Sequence, residues 1–396
     1  MSQSVSVSGL NNDRKARRAR RARLPAPGSA AAQLKGFERV RLSTEEAEAS
    51  LDAAADRLSI PRSAWNADEF NVLAISGGAA GGAFGAGVLV GLTLADRRPK
   101  FAIVTGVSTG ALIAPFAFLG PEWDDRLREA YTGGHAAGTL GVSGLSPLLE
   151  AGLYRTEALE RLIHPFVDDA MVAAIAEQHH LGRRLLVATT DLDRQEPCIW
   201  DMGEIAARGG DQAIRLFQDV LVASASLPGL FPPRRFACEA DGAKYEEMHV
   251  DGGVATPLFL MPEALIRWRK LGRRMHRGRI YVIVNTVLDP PPRTTSLNLP
   301  AILMRSFDTM LRVSYRQALN VVVTFCMANN LPLNVASIPK SSGVPENGSM
   351  LSFDTPSMRK TFEAAVRSAQ GDDFWGTPVD RIEPWNDFLD QFGSRP

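Results

Sequence analysis

Residues 101–110 of the chain read Phe101-Ala-Ile-Val-Thr-Gly-Val-Ser-Thr-Gly110. The first five residues of this stretch are almost entirely apolar, and Gly106, Ser108 and Gly110 follow with the spacing G-x-S-x-G. A short apolar run that ends in small residues is typical of a buried strand that stops at a sharp turn. Residues 111–119 are apolar again and predict a helix. We therefore predict a strand, a tight turn that carries Ser108, and a helix packed closely against the strand.

The same order of elements occurs once before this unit. Residues 71–75 predict a strand, a glycine-rich turn follows, and residues 83–96 predict a helix. Further buried strands are predicted at residues 184–189, 248–250 and 280–285. Strand–helix–strand–helix order is typical of a parallel sheet with right-handed crossovers. The predicted fold class is therefore α/β, a three-layer sandwich with a mainly parallel central sheet.

The two ends of the chain differ in composition from this central part. Seven of the ten residues 14–23 are Lys or Arg, and a block of like charge repels itself, so residues 1–36 are predicted to be a disordered basic arm. An anchor to an anionic membrane or to nucleic acid is the alternative. Ser43 begins a capping-box pattern, which indicates an N-terminal helical segment over residues 37–69. Residues 70–390 are predicted to form one α/β domain that includes C-terminal helices.

Composition argues against several classes of protein. Lys and Arg together number 44, as do Asp and Glu, and this zero net charge argues against a nucleic-acid partner. Cys198, Cys238 and Cys326 are too far apart to indicate a zinc site or a disulfide framework, and they favour a cytoplasmic location, either free or at the membrane periphery. Residues 71–95 and 101–119 carry no charge and are long enough to span a bilayer. Their glycines favour buried strand–turn–helix units over transmembrane helices.

Two segments outside these motifs have distinctive patterns. Residues 133–152 are rich in Gly and Ser and lack periodicity, so they are predicted to form a mobile loop. Residues 300–329 have the period of an amphipathic helix, with Leu303, Phe307 and Leu311 near one stripe. Core packing is favoured for that stripe over a lipid-facing surface.

A second glycine-rich turn, Ser76-Gly-Gly-Ala-Ala-Gly-Gly-Ala-Phe-Gly-Ala-Gly87, follows the strand predicted at residues 71–75. Glycines expose backbone N–H groups, which bind an anion at the N-terminus of a helix. The dinucleotide-binding spacing G-x-G-x-x-G is absent from this stretch, and no lysine follows for a P-loop. The stretch therefore indicates an oxyanion hole, and tight packing between strand and helix is the structural alternative.

The segment His249-Val-Asp-Gly-Gly253 places an acid at the end of a short apolar run. At the C-terminal end of a parallel strand, such an acid lies at the edge where α/β sheets bind ligands. Asp251 is a candidate general base for Ser108 if burial raises its pKa, and a turn-capping acid is an equally weighted alternative. His249 shares a strand face with Asp251, and a packing or hydrogen-bonding role is favoured for it over a proton relay.

These three elements, in this order, resemble the patatin-like phospholipase family over about residues 70–256. The segment Ala223-Ser-Ala-Ser-Leu-Pro-Gly-Leu-Phe-Pro-Pro233 is similar to a block in the middle of that family. The resemblance implies a lipid acyl hydrolase that works without a metal or other cofactor. It also implies that the substrate is an acyl lipid at a membrane surface.

The resemblance assigns roles to individual residues. Ser108 matches the family nucleophile and Asp251 its general base, which together would form a Ser–Asp dyad. The oxyanion loop and its neighbouring N–H donor correspond to Gly77, Gly78, Ala79 and Thr109. The remaining motif positions are the glycines at the turns, Gly82, Gly106, Gly110, Gly252 and Gly253.

The oxyanion loop departs from the family pattern at two positions. The family pattern is G-G-G-x-R/K-G, whereas residues 77–82 read G-G-A-A-G-G. Ala79 replaces a glycine, and because alanine in the left-handed region costs about 1–2 kcal/mol, we expect a conformation here that alanine tolerates. Gly81 replaces the basic residue, which removes a charge but leaves the backbone donors in place.

This altered loop motivates a second hypothesis, a non-catalytic lipid- or membrane-binding protein on a patatin-like scaffold. That hypothesis predicts liposome binding without ester turnover. A third hypothesis, an integral membrane protein, would use the two uncharged stretches as membrane spans.

Overall fold

The computed structural model describes residues 33–42, 70–135, 156–240, 242–261, 278–290, 292, 294–339, 354–372 and 374–376. The predictions for most of the basic arm, for the helix after Ser43, for residues 136–152 of the loop and for the chain beyond residue 376 lie outside these residues.

A single sheet runs through the described part of the chain. Its strands are β1 (Arg41–Leu42), β2 (Phe70–Ile75), β3 (Ile103–Val107), β4 (Arg184–Asp191), β5 (Glu196–Asp201), β6 (Arg234–Ala240), β7 (Ala243–Asp251), β8 (Gly278–Val284) and β9 (Leu333–Ser337). Their order is β1-β5-β4-β3-β2-β8-β9, and the hairpin β6–β7 joins the sheet where β7 pairs with the end of β4. The strands β4, β3, β2, β8 and β9 are parallel, and β5 is antiparallel to β4. The C-terminal ends of the parallel strands therefore meet at one edge of the sheet.

Helices cover both faces of this sheet. They are α1 (Gly82–Leu94), α2 (Thr109–Leu119), α3 (Asp124–Thr132), α4 (Thr156–Ile163), α5 (Asp169–His180), α6 (Met202–Arg208), α7 (Gly210–Ser224), α8 (Leu299–Asn329) and α9 (Thr355–Ala369). Alternate side chains of β2 lie on opposite faces of the sheet. Leu73 and Ile75 pack with α1, α2 and α9 on one face, and Val72 and Ala74 pack with α8 on the other. The predicted α/β class, with a mainly parallel sheet between two helical layers, is confirmed.

The predicted strands are present, with different bounds. Strand β3 was predicted over residues 101–105, but it spans Ile103–Val107 and so runs directly up to Ser108. Strand β7 is longer than the predicted residues 248–250, because its first half is an exposed hairpin arm without an apolar run. The sequence patterns did not predict β1, β5, β6 or β9. Strand β6, for example, alternates exposed and buried residues at the edge of the sheet.

Residues 33–42 belong to the ordered structure. Gln33 forms a β-bridge with Glu239, and Leu34 and Phe37 are buried in the core. Order therefore begins before residue 36, the end predicted for the disordered arm. Arg41–Leu42 form a strand within the segment that was predicted to be helical.

The two uncharged stretches, residues 71–95 and 101–119, form the units β2–α1 and β3–α2. Their strands and most of their helical residues are buried, which explains the lack of charge. Among the described residues, no helix combines the length and apolarity needed to cross a bilayer.

Candidate active site

Ser108 lies on the sharp turn between β3 and α2. Its backbone has φ 55° and ψ −126°, a conformation that costs a residue with a side chain on the order of 1–3 kcal/mol. Two contacts hold it there: the Ser108 N–H donates to Ser224 Oγ at 3.0 Å, and the Ala111 N–H donates to the Ser108 carbonyl at 2.9 Å. Ser224, at the end of α7, in turn donates to the carbonyl of Ala188 at 2.7 Å. The strained turn is thus fixed from the neighbouring strand β4.

Glycines on both sides of Ser108 permit this turn. A Cβ atom on Gly106 would lie 2.5 Å from the carbonyl oxygen of Gly110, and one on Gly110 would lie 2.4 Å from that of Ile75. Backbone atoms cannot yield at such distances, so the G-x-S-x-G spacing is a packing requirement here.

Asp251 ends β7 and reaches Ser108 across the end of β4. The Ser108 hydroxyl donates to Asp251 Oδ2 at 2.6 Å, and the Gly253 N–H donates to Oδ1 at 2.7 Å. Gly252 and Gly253 form a single helical turn that carries the chain away. The backbone of Asp251 is also fixed, since its N–H donates to Ser226 O and its carbonyl accepts from Thr190 Oγ1, both at 2.9 Å.

The carboxyl of Asp251 is 2% exposed. Burial raises its pKa to about 7, although the hydrogen bonds from Ser108 and Gly253 work in the opposite direction. A carboxylate with this pKa is a far better proton acceptor at neutral pH than an ordinary aspartate. The geometry therefore brings together the two residues that the sequence singled out, with a protonation behaviour suited to proton transfer.

The glycine loop between β2 and α1 lies beside Ser108, because a Cβ atom on Gly77 would be 3.1 Å from Ser108 Cβ. The Gly77 N–H donates to the carbonyl of Pro257 at 3.2 Å, so it is engaged within the protein. Among the described residues, the N–H groups of Gly78 and Ala79 make no hydrogen bond. Thr109 is the first residue of α2, where N–H groups have no partner within the helix.

The expectation that Ala79 adopts a conformation tolerated by alanine is wrong, because its φ is 48°. The reason is the turn itself. Gly78 has φ 149°, and the Gly81 N–H returns to the Gly78 carbonyl at 2.9 Å, which leaves residue 79 in the left-handed region. Alanine accepts this at a cost of about 1–2 kcal/mol.

Asn285, directly after β8, holds this loop in place. Its Nδ2 donates to Ser76 O at 2.8 Å, its Oδ1 accepts from Gly85 N–H at 3.0 Å, and its own N–H donates to Ser76 Oγ at 2.9 Å. Its carbonyl oxygen would be 2.1 Å from a Cβ atom on Gly81. The loop therefore has no room for the arginine or lysine of the family pattern, and an asparagine clamp fixes it instead. Gly82, the next residue of the loop, packs against Thr109. A Cβ atom on Gly82 would be 2.0 Å from Thr109 Oγ1.

Residues 73–262 match the family model of the patatin-like phospholipases. This stretch of the chain is similar to a patatin-like phospholipase domain. The match includes Ser108, the glycine loop and Asp251, whereas Asn285 lies beyond it. The crystal structure of VipD from Legionella pneumophila is similar over 75% of this chain and 67% of its own, with 13% sequence identity and a TM-score of 0.32. No curated protein matches the chain.

Tyr315, on α8, is a further residue beside the patatin-like site. Its Oη would be 2.7 Å from a Cβ atom on Gly77, and the side chain is buried. Burial raises its pKa, and the negative charge of Asp251 raises it further, so the phenol stays protonated. The sequence patterns missed this residue. The available signal was its position one turn after Leu311 on the apolar face of the predicted helix.

His249 packs inside the patatin-like domain and has no hydrogen bond with Asp251. Its Nδ1 lies 2.8 Å from Thr189 Oγ1 and its Nε2 lies 3.3 Å from Glu247, and the ring packs edge-on against Phe236. The packing and hydrogen-bonding interpretation of His249 is confirmed.

One cluster among the described residues has three metal-ligand side chains within 4.8 Å of one another: Asp191, Glu247 and His249. Two guanidinium groups already balance its carboxylates, since Arg41 contacts Glu247 at 2.5 Å and Arg194 lies 3.4 Å from Asp191. Burial raises the pKa of Glu247, but His249 and Arg41 outweigh it and lower the pKa to about 2. The two guanidinium groups therefore balance the two carboxylate charges of the cluster.

Replacing Asn285 with alanine is expected to loosen the glycine loop. The change leaves the buried Gly85 N–H and Ser76 carbonyl without partners, which costs about 1–3 kcal/mol. We expect a lower melting temperature and a fall in kcat/KM of roughly ten-fold or more on a soluble ester. Asn334→Ala is the matched control, because Asn334 also donates to a carbonyl, that of Ile280, but on a strand away from the loop. An equal loss of kcat/KM in both variants would contradict this role of Asn285.

Proposed function

We propose that this protein hydrolyses the acyl esters of lipids, with Ser108 as the nucleophile and Asp251 as the general base. The match of residues 73–262 to the patatin-like phospholipases supports lipid acyl hydrolysis at the level of the family. The observation that carries the finer proposal is the hydrogen bond of 2.6 Å from Ser108 Oγ to Asp251 Oδ2. It supports direct proton transfer between the two side chains, without an intervening histidine.

In the first step, the ionised carboxylate of Asp251 accepts the proton of Ser108 as the oxygen attacks the acyl carbonyl. The turn aids this attack because it holds the serine oxygen at the end of β3, at the edge of the sheet where ligands bind. The strain at Ser108 is thus retained where it positions the reacting atom.

The oxyanion of the tetrahedral intermediate would be bound by backbone N–H groups. We assign this role to Gly78, Ala79 and Thr109, and not to Gly77, whose N–H donates to Pro257. Thr109 is at the N-terminus of α2, where the helix dipole also favours negative charge. Removing one such donor typically costs about 3 kcal/mol of transition-state stabilisation.

Collapse of the intermediate breaks the ester bond, and Asp251 returns the proton to the leaving alcohol. Ser108 then carries the acyl group as an ester. Asp251 next takes a proton from water as the water oxygen attacks this ester, and the same donors bind the second oxyanion. Release of the fatty acid returns the proton to Ser108 and restores the enzyme.

A fluorophosphonate probe tests this proposal on the wild-type protein. Such a probe phosphonylates an activated serine, so we expect one covalent adduct, located by peptide mass spectrometry on the peptide that contains Ser108. The purified protein should also turn over a short-chain nitrophenyl ester, and prior labelling should abolish that turnover.

The same labelling and turnover measurements distinguish the proposed hydrolase from the competing hypothesis, a non-catalytic lipid-binding protein. That hypothesis predicts vesicle binding with neither turnover nor a serine adduct. An adduct on any serine other than Ser108 would contradict the proposed nucleophile.

A further inference from the structure

An apolar ridge runs along the first half of α8 and faces solvent. Its side chains are Leu299, Ile302, Leu303, Met310 and Val313. Leu299, Leu303 and Met310 are 69%, 58% and 68% exposed. The spacings of three, four and seven residues place all five on one side of the helix. Single exposed apolar residues are common on protein surfaces, but a group of them on one side of a helix marks a binding surface; the exposed Ser306 interrupts this row between Leu303 and Met310.

Leu297 extends the ridge just before the helix and is 99% exposed. The stripe predicted from sequence is a different one, because Phe307 and Leu311 turn towards the core as expected. Leu303 was predicted to lie with them, but it belongs to the exposed ridge. Helix α8 therefore has two apolar sides, and the described part of the chain covers one of them.

The covered side of α8 contacts the catalytic site. The Tyr315 hydroxyl lies beside Gly77, and Leu311 Cδ2 would be 4.0 Å from a Cβ atom on Gly253, next to Asp251. An α-helix with its side chains is about 10–12 Å across. The ridge is thus separated from the Ser108–Asp251 pair by about the thickness of one helix.

Arginines follow one border of the ridge. Arg305, Arg312 and Arg316 are spaced by seven and four residues and so share a side of α8. Asp308 pairs with Arg312 at 3.1 Å and lies 3.8 Å from Arg305, and Asp289 lies 3.3 Å from Arg316. Three cations against two acids leave a net positive charge, and Arg305 and Arg316 are the more exposed of the arginines, because Arg312 is 15% exposed and donates to the carbonyl of Val287. Apolar side chains next to a cationic border are the composition of helices that lie in the interface of anionic membranes.

We propose that this ridge inserts into the interfacial layer of an anionic lipid bilayer and so holds the active site at the membrane surface. This inference rests on the proposed function, because it explains how a lipid hydrolase with no described bilayer-spanning helix reaches its substrate. Insertion removes the exposed leucines and Met310 from water, while the more exposed arginines of the border, Arg305 and Arg316, remain at the level of the lipid phosphates.

The double variant Leu303→Ser/Met310→Ser tests the ridge. Both side chains are more than half exposed, so the fold does not depend on them. The probe is a vesicle of phosphatidylcholine and phosphatidylglycerol, and binding is measured by co-sedimentation. We expect the vesicle partition coefficient of the double variant to fall by a factor on the order of ten or more. The ratio of vesicle-lipid hydrolysis to soluble-ester hydrolysis should fall with it.

Leu94→Ser is the matched control. Leu94 is 61% exposed at the end of α1, which packs on the opposite face of the sheet from α8, and its substitution should leave vesicle binding within about two-fold of wild type. Equal binding by wild type and the double variant would overturn the ridge. A wild-type dimer in sedimentation equilibrium that the double variant dissociates would overturn it as well, because the ridge would then face a second copy.

The two proposals fail separately. If the wild type hydrolyses the soluble ester but does not bind vesicles, the proposed membrane insertion of the ridge is wrong and the proposed hydrolase activity stands. If vesicle binding follows the expected pattern but no ester is hydrolysed, membrane insertion stands and the proposed hydrolase activity is wrong.

Discussion

Replacing Ser108 with alanine is expected to lower kcat for ester hydrolysis by a factor on the order of 10⁴ or more. In the proposed mechanism, the change removes the oxygen that forms the acyl-enzyme, and it leaves Asp251 to activate water without a covalent intermediate. Steady-state kinetics on a short-chain nitrophenyl ester measures this loss. The variant should also show no adduct with a fluorophosphonate.

The fold of the Ser108→Ala variant should persist, because the contacts that hold the turn are made by the backbone of residue 108. Its N–H donates to Ser224 and its carbonyl accepts from Ala111. Ser368→Ala is the control, since Ser368 is an exposed serine on α9. Full labelling of the Ser108→Ala variant, or equal loss of activity in Ser368→Ala, would contradict the mechanism.

The parts of the site that the sequence predicted are those encoded locally. Ser108 directly follows β3, Asp251 is the last residue of β7, and Ser108 Oγ lies 2.6 Å from Asp251 Oδ2. The strand that ends at Asp251 was expected to be parallel, but β7 is antiparallel to β4, and the pairing of Thr189 with Asp251 places the acid at the C-terminal end of β4, next to β3. The motifs and the family resemblance were thus sufficient to predict that these two side chains meet.

The residues that the sequence did not predict act through tertiary contacts. Asn285 ends a predicted strand, but its hydrogen bonds go to Ser76 and Gly85, which are distant in sequence. Tyr315 reaches the site only because α8 packs across the sheet face beside it. No local sequence pattern predicts which loop a helix will pack against, so these contacts can be found only in the folded structure.

The conformation of Ala79 shows a second reason why the sequence did not predict the whole site. Propensity favours negative φ for alanine, and that preference is small compared with the packing of a whole loop. The Gly78 turn and the Asn285 carbonyl fix the path of the chain, and residue 79 follows it at φ 48°. Tertiary packing therefore overrides a local preference of about 1–2 kcal/mol.

The rate of hydrolysis is expected to rise with pH through about 7. Asp251 accepts the serine proton only when ionised, and burial raises its pKa to about 7. Tyr315, the neighbouring ionisable group from α8, has a raised pKa and stays protonated over this range. A pH profile of kcat/KM on a soluble ester should therefore have a rising limb near pH 7. A limb near pH 4 would show that Asp251 titrates as an ordinary aspartate.

The same burial makes Asp251 a source of instability above pH 4. The pKa of this carboxyl is about 7 when folded and 3.8 as the reference value, so the folded state holds a proton that the unfolded state releases. Stability is therefore greatest at acidic pH with respect to this group, and it declines as pH rises from about 4 to about 7. The difference corresponds to roughly 4 kcal/mol at most.

Asp251→Asn is expected to abolish most activity and to stabilise the protein at neutral pH. The amide is a neutral isostere of the protonated carboxyl, so it loses the base, which costs about 10³-fold in kcat, and avoids the burial of a charge. Thermal unfolding at pH 8 should give a higher melting temperature than for wild type, and the gain should shrink towards pH 4. Asp168→Asn is the control of opposite sign, because hydrogen bonds and Arg126 lower the pKa of Asp168 against the effect of its burial. That variant should gain no stability at pH 8. Loss of stability in Asp251→Asn at pH 8 would mean that the ionised carboxylate holds the fold together, and the raised pKa that makes Asp251 a base would then be untenable.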